Sequence, residues 1–155
     1  MARIATMENR NGLAVAGMVT HASGTAERRA AQMMLKAKAR RAGRRIAAGA
    51  DKAYDTADHV ANLRAIDVTP HVTQNNAIGK IGRSRRSAID ERTTRHEGYG
   101  MSQTCRAMIE CIFGWGKQHG TMRKTKYRGI GAVAADFMLN LIAYNLIRIP
   151  KLLVA

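Results

Sequence analysis

Acidic residues are scarce in this chain of 155 residues. Eleven aspartates and glutamates stand against 26 lysines and arginines, which gives a formal net charge of +15 at pH 7. A positive field of this size favours polyanions as partners, nucleic acid before anionic membrane surfaces. Hydrophobic residues make up 46% of the chain, so it is not a disordered basic tail, and its length suits one domain with a real core.

The chain also lacks a long uninterrupted apolar run. Its N-terminus, MARIATMENRNG, has no apolar stretch of the kind that a secretory signal requires. The longest apolar segment, 129–149, contains Asp136, Asn140, Asn145 and Arg148. Polar groups at mid-span disfavour a membrane helix, so we predict a buried core helix and no membrane partner.

Cysteine is nearly absent. Cys105 and Cys111 lie six residues apart on one predicted helix, where a rotation of 100° per residue turns their side chains in different directions. They therefore cannot pair with each other, and reduced thiols in a cytoplasmic protein are predicted. The five histidines have no zinc-like spacing.

The first half of the chain alternates strand and helix signals. Asn11-Gly12 between two apolar segments predicts an antiparallel hairpin, since both residues tolerate positive φ. Segment 45–51, which has little polarity, predicts a central strand covered on both faces. The order hairpin, helix, strand, helix, strand is an α/β pattern. The predicted ranges are 2–8 and 13–22 for the hairpin, 26–42 and 53–66 for the helices, and 45–51 and 68–72 for the single strands.

The second half begins with an irregular basic segment, 73–100, which has no sustained periodicity. A loop of this length in a compact domain is usually functional or disordered. Its arginines, Arg95 among them, could hold phosphates, or the loop could be solvated and mobile, and the sequence favours neither. A helix over 102–119, a basic turn over 120–129 and a last helix over 130–147 are predicted after it.

Glu110 lies within the predicted helix 102–119. Offsets of four and seven residues place Arg106, Glu110 and Lys117 on one face, beside an apolar face. The helix alone favours an ordinary salt bridge between Glu110 and Arg106, which contributes only about 0.3–0.5 kcal/mol.

Asp51 raises a second possibility, because it follows a predicted strand and ligands in open α/β sheets gather at the carboxyl ends of strands. A carboxylate there and one on a packed helix can converge on Mg²⁺, which takes oxygen ligands and can align the oxygens of a phosphodiester. Asp51 could instead, or in addition, cap the helix that follows. Asp55 could supply another oxygen ligand, but a solvated charge is favoured.

At these residues the sequence resembles the DDE transposases of bacterial insertion sequences, in the insertion-sequence-five-like group. The stretch DKAY, which starts at Asp51, is similar to the motif around the second catalytic aspartate of that family. Arg106-x3-Glu110-x6-Lys117 is similar to its C-terminal signature Y-x2-R-x3-E-x6-K, except that Gln103 occupies the tyrosine position. Further similar stretches span nearly the whole chain: MENRNG, GTAERRAA, VTPHV, SAIDERTTRHEGY, IFGWGK, KTKYRG and YNLIRIPKLL.

The resemblance implies an RNase H-like fold and the cutting and joining of transposon-end DNA with Mg²⁺ or Mn²⁺. It implies that Asp51 and Glu110 are the second and third metal-binding catalytic carboxylates. Lys117 would contact the DNA end, and Arg106 would support the site among the DNA-binding residues. Such a protein is expected in the bacterial cytoplasm, associated with the nucleoid. Further candidate DNA-binding residues lie in the basic loop and the basic turn: Arg95, Lys124 and Lys126.

The first carboxylate of that family is missing. No aspartate precedes Asp51, and neither Glu8, beside the hairpin turn, nor Glu27, at a helix start, resembles the family's first aspartate, which lies on the first strand. We therefore expect no transposase activity from this chain alone. Unpaired strand edges would invite pairing with another chain, which could be a second copy, full-length transposase or an upstream fragment.

The resemblance also predicts the domain organisation. The chain would be a single, N-terminally truncated DDE catalytic domain whose RNase H-like sheet is incomplete, because the first, central strand is missing. Its parts would be a partial sheet over 1–72, the basic loop over 73–100 and C-terminal helices over 101–155.

A function of a different class also fits the charge, that of a non-catalytic basic nucleic-acid-binding or regulatory protein. Both functions predict binding that weakens steeply as salt rises. They differ over Asp51 and Glu110. If the two carboxylates form a metal site, Mg²⁺ would perturb the residues near both of them. If they are surface salt-bridge partners, Mg²⁺ would perturb neither.

Overall fold

The computed structural model describes residues 1–78 and 85–154. The chain divides into two compact units, a terminal unit formed by Met1–Met34 and Ala107–Ala155, and a central unit formed by Leu35–Arg106. Each unit combines helices with a pair of strands, so the predicted α/β class is confirmed. Part of the predicted basic loop, 79–84, lies outside the described residues.

The terminal unit begins with the predicted hairpin. β1 (Ala2–Met7) pairs antiparallel with β2 (Ala14–Thr20). Gly12 adopts a φ of 69°, whereas Asn11 stays out of the positive-φ region, so a longer loop replaces the two-residue Asn-Gly turn. The Glu8 carboxylate holds this loop by accepting three of its backbone N–H groups at 2.8–3.1 Å.

A long helix, α6 (Ile130–Leu153), packs one face on the hairpin. The apolar core there includes Ile112, Phe137 and Leu141. Gly17 of β2 lies against this face, and a β-carbon at Gly17 would come 2.4 Å from Leu141 Cδ1. A larger residue at this position would force the side chains of Leu141 and Phe137 to shift.

Polar side chains of α6 also fasten the hairpin loop. Tyr144 donates its hydroxyl to the carbonyl of Gly12 at 3.2 Å. Asn145 accepts the N–H of Ala14 at 2.9 Å and donates to its carbonyl at 2.8 Å, while Arg148 donates to the loop backbone. These contacts connect the stretch MENRNG with the stretch YNLIRIPKLL.

The prediction of a buried core helix holds for only one face of α6. Leu139, Leu146 and Leu153, on the other side, are 65%, 65% and 81% exposed. The hairpin covers one side of the helix, which explains the difference. By length and composition α6 is also long and apolar enough to cross a membrane. Asp136 and Asn140 are buried in its middle.

The central unit is built on two parallel strands, β3 (Ile46–Ala50) and β4 (Val68–Val72), connected through α2 (Ala57–Ala65). Both strands lie where they were predicted. The expectation that β3 is covered on both faces is wrong, because Ala47 and Gly49 are exposed while their neighbours are partly buried. Over residues 1–78 and 85–154 the strands form two separate two-stranded sheets, β1 with β2 and β3 with β4.

The first long helix, α1 (Ala26–Ala42), has the predicted bounds and ends before Gly43, whose φ is 60°. In the terminal unit, Ala30 and Met34 pack with Ile4 of the hairpin. In the central unit, Ala39 packs with residues of α2 and β4.

The single helix predicted over 102–119 is interrupted. The chain forms a short α3 (Glu91–Thr94), then α4 (Glu97–Cys105), a 3-10 turn (Arg106–Met108), and α5 (Ile109–Gln118). The change to 3-10 geometry falls where the chain passes from the central to the terminal unit. The last part of the predicted loop 73–100 is therefore helical.

Candidate active site

The carboxyl ends of the two parallel strands place Asp51 and Thr73 side by side. Each residue directly follows its strand, and the N–H of Thr73 donates to the carbonyl of Ala50 at 3.0 Å. The side chain of Asp51 is 68% exposed. This edge of a parallel sheet is where ligands of open α/β folds bind, so Asp51 is a candidate for contact with a ligand.

Arg106 connects this strand end to α4. Its Nη1 lies 3.2 Å from Oδ1 of Asp51 and also donates to Oγ1 of Thr73. Among the ion pairs of the described residues, Arg106 pairs with Asp51 and not with Glu110. The salt bridge expected between Glu110 and Arg106 is thus replaced by one that reaches a residue 55 positions earlier in the chain.

Gln103, at the position of the family's tyrosine, belongs to the same network. Its Nε2 donates to the carbonyl of His71 at 2.7 Å, and its Oε1 accepts the hydroxyl of Thr73 at 2.6 Å. The amide thus fixes α4 against the end of β4 and orients Thr73 toward Arg106. Thr73 was not among the residues predicted from the sequence. Like Asp51, however, it directly follows a predicted strand.

A buried contact between His71 and Ser102 holds α4 on β4. Nδ1 of His71 lies 2.7 Å from the hydroxyl of Ser102, and both residues are buried. Burial lowers the pKa of His71, the backbone of Gly98 opposes this by accepting a hydrogen bond, and the charge of His96 lowers the pKa further. The hydroxyl of Ser102 can donate to Nδ1 of His71 or accept from it, so burial, and not this contact, favours the uncharged ring.

Asp51 is not used as a helix cap. It precedes a 3-10 turn (Lys52–Tyr54) without any side-chain capping bond, and α2 is capped by Thr56, whose hydroxyl accepts the N–H of His59 at 3.3 Å. The capping role considered for Asp51 is therefore wrong, and its carboxylate is available for another partner besides Arg106.

Asp55 is not the solvated charge that the sequence suggested. It is 2% exposed and accepts the N–H groups of Asn75 at 2.7 Å and Ala88 at 2.9 Å. Arg85 donates to its backbone carbonyl at 2.9 Å. Asp55 therefore anchors both ends of the irregular segment that follows β4, and its oxygens are not free to bind a cation.

Glu110 and Lys117 lie at opposite ends of α5, in its first and last turns. Both are exposed, whereas Ile112 and Gly116 of the same helix are buried. Of the predicted polar stripe, Glu110 and Lys117 share this helix, whereas Arg106 lies in the 3-10 turn before it and belongs to the central unit. Glu110 belongs to the terminal unit and Asp51 to the central unit.

The chemistry of these carboxylates suits a hard cation, but their number is small. Asp51 and Glu110 are exposed acids, unlike Glu8 and Asp55, whose oxygens accept backbone N–H groups. No group of three or more potential metal-binding side chains occurs in residues 1–78 and 85–154. Asp51 and Glu110 each carry a carboxylate of the kind that Mg²⁺ and Mn²⁺ take as a ligand.

The candidate DNA-binding residues of the basic loop and the basic turn are exposed. Arg95 follows α3, and Lys124 and Lys126 lie in the turn between α5 and α6. Thr121 fixes the start of this turn, because its hydroxyl donates to Oδ1 of Asp136 at 2.5 Å and its N–H donates to Asn140 at 3.1 Å. The lysines are thus carried by a turn that is anchored to α6.

Comparison with protein families places most of this sequence in one of them. Residues 1–146 match the family described as Transposase DDE domain. Comparison with curated proteins and with solved structures gave no match.

Proposed function

We propose that this chain, which belongs to the transposase DDE domain family, acts in DNA transposition. It would form part of a Mg²⁺- or Mn²⁺-dependent catalytic centre that acts at transposon ends. The observation that carries the proposal is the ion pair between Arg106 and Asp51 at 3.2 Å. It joins the arginine of the C-terminal signature to the aspartate of the DKAY motif. Two stretches recognised separately in the sequence thus meet at one strand end.

Asp51 and Glu110 would hold the metal ion through their carboxylates. When bound, the ion would supply charge stabilisation to the attacking and leaving oxygens of a phosphodiester. Arg106 contacts Oδ1 of Asp51 and fixes the rotamer of that side chain. Lys117 at the other end of α5 would bind a phosphate of the DNA end, since a flexible ammonium is suited to that contact.

The chain alone is proposed to be inactive in DNA cleavage. It has no aspartate before Asp51, and Glu8 is occupied by the hairpin loop. Another polypeptide segment, either upstream in a longer protein or in a partner transposase, would supply the missing carboxylate. We expect the purified chain to leave supercoiled plasmid intact in Mg²⁺ or Mn²⁺. Nicking that Glu110→Gln abolishes would contradict this expectation.

Metal binding by the two carboxylates is tested by titration calorimetry with Mn²⁺. Asp51→Asn and Glu110→Gln should each weaken Mn²⁺ affinity by about tenfold, because each removes one anionic ligand. Asp58→Asn is the matched control, since Asp58 is an exposed aspartate in the first turn of α2. Equal affinities in all four proteins would overturn the proposed metal site.

The second candidate function is a non-catalytic nucleic-acid-binding or regulatory protein that pairs with an active transposase. The observation that favours it is the combination of a net charge of +15 with too few clustered carboxylates in the described residues. This candidate predicts salt-sensitive DNA binding without any effect of Asp51→Asn on Mn²⁺ affinity. Cytoplasmic, nucleoid-associated placement follows from either function.

A further inference from the structure

We propose that a basic cleft on the central unit, formed by Arg44, Arg45 and His96 over a floor of Ala47 and Thr69, binds a phosphate of the DNA backbone. The proposal rests on the proposed function, because it assumes that DNA is the partner. The site is distinct from the strand end that carries Asp51.

The cleft is open and has a volume of about 500 Å³. Its floor is one face of the parallel strand pair, where Ala47 of β3 lies opposite Thr69 of β4. Arg44 and Arg45, directly before β3, form one wall, and His96, at the start of α4, lines it as well. The small side chain of Ala47 leaves room for a ligand to reach the strand surface.

The charge of this cleft is of one sign. Among the described residues that line it, none carries a carboxylate. In the described part of the chain Arg44 is in no ion pair, and Arg45 pairs only with Asp67, at 3.4 Å and with both side chains largely exposed. An exposed pair of this kind contributes little, so a phosphate can compete for the guanidinium. Two arginines that line one cleft can offer guanidinium groups to the oxygens of a phosphate.

The two histidines that line the cleft differ in burial. His71 is buried, bonded to Ser102 and favoured in its neutral form, so it supports the wall without adding charge. His96 is exposed, and its side chain makes no capping bond to α4. Its imidazole is therefore able to donate a hydrogen bond to a phosphate oxygen.

The distance of the cleft from Asp51 suits a phosphate that belongs to a DNA strand. Arg45 and Asp51 lie at opposite ends of β3, about 20 Å apart at roughly 3.3 Å per residue. Duplex DNA carries one negative charge per about 1.7 Å of helix axis, so a duplex that reaches Asp51 also presents phosphates at this distance. Contacts of this type position DNA without reading its sequence.

The test compares Arg44→Gln/Arg45→Gln with Arg40→Gln/Arg41→Gln. Both variants lose two positive charges, but Arg40 and Arg41 are exposed residues of α1 that do not line the cleft. Fluorescence anisotropy with a labelled duplex of about 20 base pairs should show the cleft variant weakened by about tenfold, with the slope of log K against log salt reduced by nearly two. Equal losses in both variants would overturn the site.

A second arm uses inorganic phosphate as the probe, with histidine imidazole shifts measured by NMR. Weak, saturable shifts of His96 that duplex DNA suppresses support a backbone site. Tight phosphate binding in a protein whose DNA affinity is unchanged by Arg44→Gln/Arg45→Gln would reassign the cleft to a free phosphate and overturn the proposal. Thermal unfolding of both variants confirms that they are folded.

The two proposals fail separately. Loss of DNA affinity in the cleft variant, together with unaltered Mn²⁺ affinity in Asp51→Asn, would overturn the metal centre and leave the cleft standing. Unaltered DNA affinity in the cleft variant, together with weakened Mn²⁺ binding in Asp51→Asn, would overturn the cleft alone.

Discussion

Two aspartates one turn apart, Asp51 and Asp55, have opposite environments. Asp51 is 68% exposed at its side chain, whereas Asp55 is 2% exposed and bonded to backbone groups of Asn75 and Ala88. The partners of Asp55 lie 20 and 33 residues away, so no local pattern could identify them. The place of Asp51 at a strand end was predictable, because it depends only on where β3 ends.

The contrast between these residues predicts opposite effects on stability. Asp55→Ala leaves two backbone N–H groups without their acceptor and should cost about 2–4 kcal/mol of unfolding free energy. Asp51→Ala removes only one exposed ion pair, which is expected to change stability by less than about 1 kcal/mol. Urea unfolding followed by circular dichroism measures both. Similar losses in the two variants would show that Asp55 is not the anchor described above.

At the scale of elements, period and turn chemistry predicted most of the secondary structure. The apolar segments 2–8 and 13–22, the helical run 26–42 and the short apolar segments 45–51 and 68–72 all correspond to observed elements. Each depends on residues within a few positions of one another, which is the range that periodicity can read.

The elements that were predicted wrongly depend on contacts between residues far apart in the sequence. The predicted helix 102–119 contains no glycine or proline at the point where it changes to 3-10 geometry, Arg106–Met108. Two features distinguish this part of the chain: the ion pair between Arg106 and Asp51, and the boundary between the central and the terminal unit. Ser102, predicted to begin the helix, is instead buried inside α4 against His71.

The contact between α4 and β4 predicts a pH dependence of stability. The pKa of His71 is lowered in the folded state, chiefly by burial, so the unfolded chain binds more protons below pH 6.5. The contribution of His71 to stability is complete above pH 6.5 and is lost as pH falls below that value, until the folded-state pKa is reached.

Urea unfolding at pH 7.5 and pH 5.5 checks this sign. The wild-type protein should lose more stability between the two values than His71→Gln, which cannot take up a proton. Thr69→Val is not expected to alter the difference, since Thr69 lies on the same strand but does not titrate. A His71→Gln protein with the full wild-type pH dependence would contradict the assignment to His71.

At the scale of the whole molecule, positive charge is shared by both units. The central unit holds 15 of the 26 lysines and arginines with seven acids, and the terminal unit holds 11 with four, so their formal charges are +8 and +7. Each unit has its own apolar core and its own pair of strands. Both units are therefore equipped to contact a polyanion, and neither one alone carries both Asp51 and Glu110.

The central claim is that Asp51 and Glu110 bind one divalent ion, and paramagnetic broadening of backbone amide signals by Mn²⁺ tests it most directly. Substoichiometric Mn²⁺ should broaden signals near Asp51 and signals near Glu110 together, at the same metal concentration, and Glu110→Gln should reduce the broadening at both places. Broadening around Asp51 that persists undiminished in Glu110→Gln, or its confinement to one of the two residues, would contradict the claim.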